Sequence, residues 1–119
     1  MNRRRWLSLL GLLMSAGCAA DRPPERVLVR AEQLAEGTAT RLRLVPVAGA
    51  RINAQLLPAF ERTDGVVFRL DSPDRDSDGS YFTSPPSVLL DAPARGTVLS
   101  SVCPDKEAVC LPVKVRVGD

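Results

Sequence analysis

The sequence predicts an all-β fold, an antiparallel sandwich of seven to eight short strands. Three observations carry that prediction. Apolar residues alternate with polar ones in runs of four to nine, the period of a half-buried strand. Gly, Pro and Asp-Gly turn signals recur every 8–12 residues, the spacing of a sandwich of about 100 residues. Ten prolines and eight glycines in 119 residues speak against long helices. A strand with one apolar face needs a second sheet to cover it, so two sheets are expected.

The elements follow in chain order. Val27-Leu28-Val29 begins a strand. Ala31 to Glu36 reads as one helical turn stopped at Gly37. Thr38 to Val47 alternates, with Leu42 and Leu44 on one face and Arg41 and Arg43 on the other. Arg51 to Leu57 places Ile52, Ala54 and Leu56 on one face, and Pro58 ends it. Asp64-Gly65 is a strong turn signal, and Val66 to Leu70 follows as a buried strand. Residues 71–80 form a polar Asp- and Ser-rich loop. Tyr81 to Thr83 is a short extended piece, broken by Pro85-Pro86. Ser87 to Leu90 and Thr97 to Cys103 are strands. Val109 to Val117 closes the chain, with Val113, Val115 and Val117 facing one way and Lys114 and Arg116 the other. Pro112 puts the start of this strand at an edge or a bulge.

The domain is preceded by an export address. Residues 1–20 read as a signal peptide, with a basic stretch at Arg3-Arg4-Arg5 and an apolar stretch from Trp6 to about Ala16. Ala16-Gly17-Cys18 resembles the end of a bacterial lipobox, so cleavage before Cys18 would leave that cysteine lipidated as the new N-terminus. Cleavage after Ala20 is the alternative. Arg3 to Leu7 also resembles a twin-arginine export motif. Residues 21–26 form a polar tether, and 27–119 form the domain. The expected place is the periplasmic side of the cell envelope, with the lipid bilayer as a partner through Cys18.

Composition excludes several chemistries. There is no histidine, so Ser-His-Asp and Cys-His catalysis and imidazole metal sites are ruled out. Sixteen basic residues, less the three of the leader, leave thirteen against fourteen acidic ones, a net charge of −1. A nearly neutral domain with 4% aromatics is a poor nucleic-acid binder. No cofactor is expected.

Three cysteines in an exported protein leave one over. With Cys18 lipidated, Cys103 and Cys110 form the remaining pair, at the ends of two strands that meet in a hairpin. An oxidising compartment permits a disulfide there. As a staple it closes a short loop and stabilises by roughly 2–3 kcal/mol in the chain-entropy model. As a redox pair it needs an accessible sulfur and a stabilised thiolate. Lys106 in the loop favours a thiolate, and Asp105 and Glu107 oppose it.

The stretch from Val98 to Val117, with its strand, Cys103, charged loop, Cys110, Pro112 and closing strand, resembles the end of the N-terminal periplasmic domain of DsbD-type thiol:disulfide interchange proteins. Arg51-Ile52-Asn53-Ala54 before Pro58 is similar to a recurrent segment of the same modules. The resemblance implies an immunoglobulin-like sandwich in which Cys103 and Cys110 are a redox pair. It also implies thioredoxin-like or other periplasmic thiol proteins as partners. An aromatic residue often caps the pair in that family, and Tyr81 and Phe82 are the candidates here. The alternative is a non-catalytic binding or assembly lipoprotein whose sandwich is stapled by the same bond.

Two weaker features complete the reading. Asp74-Arg75-Asp76-Ser77-Asp78-Gly79 matches the first half of an EF-hand loop, making Asp74, Asp76 and Asp78 candidate calcium ligands. The twelfth position is Pro85 instead of the bidentate Glu, and a solvated connection is the competing reading. Arg41 and Arg43, with Arg30 and Arg51 nearby, read as the solvent side of a sheet, where charge discourages edge pairing.

Overall fold

The computed structural model describes residues 27–118, and every regular element among them is a strand. The eight strands are β1 (Val29–Glu36), β2 (Ala39–Pro46), β3 (Ala50–Ile52), β4 (Ala59–Arg62), β5 (Val67–Arg69), β6 (Ser87–Leu90), β7 (Gly96–Pro104) and β8 (Leu111–Val117). All strand pairs are antiparallel. One sheet runs β1-β2-β6. The other is built on β7, with β8 along one edge and both β3 and β4 along the opposite edge. β5 pairs beyond β4. The expected antiparallel sandwich is what forms.

A single core fills the space between the sheets. Leu42, Leu44 and Leu90 contribute from the first sheet, and Ile52, Phe60, Val98, Val102 and Val117 from the second. Leu42, Leu44, Phe60, Val98 and Val102 are wholly inaccessible. The alternation expected on β2 and β8 holds: Leu42 and Leu44 turn inward, as do Val113, Val115 and Val117.

Four local expectations are corrected. Ala31–Glu36 is not a helical turn. It is the body of β1, paired with β2 through eight register positions. Ala, Glu, Gln and Leu favour helix locally, but the pairing and the cross-strand contacts of Glu32 and Glu36 override that preference. Gly37 has φ of 63°, and among the described residues no non-glycine residue has positive φ. The two-residue Gly37-Thr38 connection is therefore a type II′ turn, whose first position calls for glycine.

Arg51–Leu57 is not one strand. Ile52 lies opposite Val102 and Ala59 opposite Leu99, so residues 53–58 have only two β7 positions to span. They loop outward, and Leu56 is 59% exposed rather than in the core. An Asx-turn, with Gln55 N–H donating to Asn53 Oδ1, starts the loop. Pro58 does not end a strand but precedes β4, which the sequence reading passed over. Val66–Leu70 is not buried throughout. β5 is an outer strand of its sheet, with Val67 49% exposed, Phe68 half-buried and only Leu70 inaccessible.

Candidate functional site

β7 and β8 pair from Gly96 opposite Val117 to Val102 opposite Leu111. One position further on, the same register sets Cys103 directly opposite Cys110, and the two are joined in a disulfide with Cα atoms 4.0 Å apart. The pairing type explains the short span. Asn53 N–H donates to the Ser101 carbonyl, so Ser101 turns its backbone groups away from β8. Its β8 partner, Pro112, has no N–H to offer. The Ser101–Pro112 pair is thus non-hydrogen-bonded, and so is the cysteine pair two positions along, where side chains come closest.

Strand alternation also fixes which face carries the sulfurs. Val98 and Val102 point into the core, so Leu99, Ser101 and Cys103 point outward, together with Pro112 and Lys114 of β8 and with Cys110 just before it. The disulfide lies on the outer face of the β7 sheet and does not cross the core. The two sulfurs are unequal. Cys103, flanked by β3 and β8, is 3% exposed, whereas Cys110 is half-buried beside exposed Val109.

Arg51 stands opposite Cys103 on β3. Its Nε lies 3.2 Å from Asp105 Oδ1 in the hairpin loop, and its guanidinium packs 4.1 Å from the centre of the Tyr81 ring. Asp105 N–H donates to the Gly49 carbonyl, and Glu107 N–H closes a turn on Pro104. The loop is thereby tied to β3. Arg51 places positive charge next to the cysteine pair, and Asp105 offsets part of it.

Below the disulfide the outer face opens into a groove of about 510 Å³. Leu99 and Ala59 form its floor, the Leu56-Leu57 loop and Val67 its walls, and Cys110 lies at one end. Sequence reasoning missed the groove. The outward alternation of Leu99, Ser101 and Cys103 was a usable signal, but the walls depend on a loop that reads as strand.

Tyr81 bridges to Asn53 on the outer face and stacks on Arg51, one strand removed from Cys103. Phe82 turns inward, where it is 9% exposed in the core. Asp74, Asp76 and Asp78 do not assemble a cation site: among the described residues no three His, Cys, Asp or Glu side chains are grouped to hold a metal. Each carboxylate is used within its own loop. Asp74 accepts from the Ser84 hydroxyl, Asp76 from Tyr81 N–H and Asp78 from Ser80 N–H. The Ser80 N–H, then the Ser80 hydroxyl, hold the Asp78 carboxyl below its ordinary pKa. Arg41 and Arg43 lie on the solvent side of the first sheet, paired with Glu36 and Glu32. Arg51 belongs to the other sheet. Cys18, the signal peptide and the tether lie outside the described residues.

No family model, curated protein or solved structure matches this chain. Fold and site define a small antiparallel sandwich with a disulfide and an apolar groove on one outer face.

Proposed function

We propose that this protein is a thiol–disulfide exchange module of the cell envelope, held to a membrane by lipid on Cys18. In this reading the sandwich is immunoglobulin-like, as in the DsbD-type domain it resembles, and its partners are thioredoxin-like or other periplasmic thiol proteins. The observation that carries the reading is the position of the Cys103–Cys110 bond. A disulfide that crosses a sandwich core ties two sheets together. This one joins two neighbouring strands of one sheet, already paired at seven positions, and ties no two sheets together. It also leaves one sulfur at the end of a groove, within reach of another protein.

The exposure difference supports Cys110 as the attacking cysteine and Cys103 as the resolving one. In the reduced protein, the Cys110 thiolate attacks one sulfur of a partner disulfide. An S–S bond forms between Cys110 and the partner, and the partner's other sulfur leaves as a thiolate. The Cys103 thiolate then attacks Cys110 Sγ and expels the partner's second thiol. Two electrons and two protons pass to the partner, and Cys103–Cys110 is left oxidised. A dithiol protein of the thioredoxin class restores the reduced pair by the reverse exchange.

The experiment is a reduction potential, measured on the purified protein by equilibration with glutathione or thioredoxin buffers and alkylation trapping. A potential of roughly −180 to −270 mV is expected for an exchange-active pair. A value below about −300 mV, with a large loss of stability on reduction, would overturn the proposal. It would instead favour a second reading, a binding or assembly module with a structural staple, which the burial of Cys103 supports.

A further inference from the structure

One row of the outer face is organised in a way that exchange at Cys110 does not itself require. The register places Lys114 opposite Leu99, Leu99 opposite Ala59, and Ala59 opposite Arg69. The groove floor is thus flanked by a lysine on β8 and an arginine on β5. Four strands at a spacing of about 4.8 Å separate the two backbones by roughly 14 Å. Among the described residues neither cation has an ion-pair or hydrogen-bond partner. Most basic side chains near them are engaged: Arg51 with Asp105, Arg62 with Asp64, and Arg116 in a contact of its own. One carboxylate, Glu61, lies in the groove beside them. An apolar floor between two unneutralised cations is complementary to an apolar chain bearing negative charge.

We infer that the groove is the docking site for the cysteine-bearing segment of the exchange partner, an extended stretch with apolar and acidic residues. The inference rests on the exchange reading and adds the partner's sequence class. Cys110, Pro112 and Lys114 succeed one another at two-residue steps along the outer face, at about 3.3 Å per residue. A partner segment lying along β8 with its cysteine at Cys110 therefore puts the residue two positions away over Pro112 and Leu57. The residue four positions away then lies over the Lys114–Arg69 row. The preferred segment is cysteine, any residue, apolar, any residue, acidic, read in one chain direction or the other.

Synthetic ten-residue peptides test this. Each carries one cysteine, as a mixed disulfide with a small aromatic thiol, and Glu, Gln or Lys four positions away on either side. Exchange rate constants are measured with the reduced full chain. A non-reactive Cys→Ser set, labelled with a fluorophore, gives binding by anisotropy. The Glu peptides are expected to react and bind roughly five- to tenfold better than the Lys peptides at low salt, the sum of two exposed charge pairs. The advantage shrinks at high salt. The double variant Lys114→Glu/Arg69→Glu is expected to reverse the preference, and melting temperatures check that it folds. The Lys peptides thus serve as the rescue.

Equal rates for all peptides in an exchange-active protein would overturn the docking inference and leave the exchange reading standing. No exchange with any peptide, but charge-selective binding of the Ser set, would sink the exchange reading and retain the groove. Displacement of the peptides by a long-chain fatty acid, with no dependence on peptide charge, would overturn the inference in favour of an amphiphile. Self-association that buries the groove, seen by sedimentation, would overturn it in favour of a second copy.

Discussion

The outer faces of the two sheets are built on opposite plans. On the β1-β2-β6 sheet, Arg43 pairs with Glu32 at 2.6 Å and Arg41 with Glu36 at 2.9 Å. Arg41 Nη1 also donates to Ser87 Oγ on β6. These four charged side chains pair with one another, and Leu34 and Leu89 stand exposed on either side of Arg41. On the β7 sheet the outer face carries Leu99, Ala59, Val67, Glu61 and the disulfide, and among the described residues Arg69 and Lys114 have no ion-pair partner. Both sheets bury the same core on their inner sides. The lesson is that the inner faces secure fold stability, so the outer faces can differ: one carries cross-strand ion pairs, the other a groove that ends at the disulfide.

The inner faces of the two sheets share one core, so inner residues of either sheet must cost alike. Leu42→Ala on β2 and Phe60→Ala on β4 are each expected to destabilise by about 2–5 kcal/mol in urea unfolding. A marked asymmetry would mean that the sheets are not equal partners in one core. Reduction of Cys103–Cys110 comes next. The chain-entropy model sets its loss at about 2–3 kcal/mol, because the bond restricts the unfolded chain. Denaturation midpoints with and without reductant give the value.

The two outer faces themselves should separate by a smaller margin. Breaking the Arg43–Glu32 pair with Arg43→Ala is expected to cost up to about 1 kcal/mol, because both partners are partly exposed. Leu56→Ser and Val67→Thr on the groove are expected to shift stability by about 0.5 kcal/mol or less, while weakening peptide binding. A large destabilisation by either substitution would make the groove a piece of structure rather than a surface.

The smallest expected effect is at acid pH. Asp71 lies below its ordinary pKa, held down first by the Arg75 guanidinium 2.9 Å away and then by the Ser72 N–H. A carboxyl with a depressed folded-state pKa contributes stability that is complete above its unfolded value, about pH 4. That contribution is lost as the pH falls through the lower folded value. Asp71→Asn should therefore flatten the stability profile below about pH 4 and leave its shape near neutrality unchanged.

How far the sequence was legible depends on whether a pattern was local. β2, β6 and β8 were read almost to the residue, because period-two alternation with bulky inward residues is a property of the segment itself. The cysteine pair was legible for the same reason: a hairpin aligns residues at equal distances from its turn. β1 was misread because its composition favours helix and only its pairing with β2 makes it a strand. The β3–β4 break was misread because Ile52, Ala54 and Leu56 alternate convincingly. Only the two β7 positions available to six residues show that Leu56 must leave the sheet.

The sequence by itself determined an all-β chain with one apolar face per strand, two cysteines that can meet, and no imidazole chemistry. Those properties follow from residue type and spacing. Only the tertiary structure decided that the disulfide lies outside the core, that Cys110 is the more accessible cysteine, and that Leu56, Val67, Arg69 and Pro112 surround one groove. These residues are far apart in the chain, and their meeting depends on the β7 ladder, whose register is set by the core it encloses.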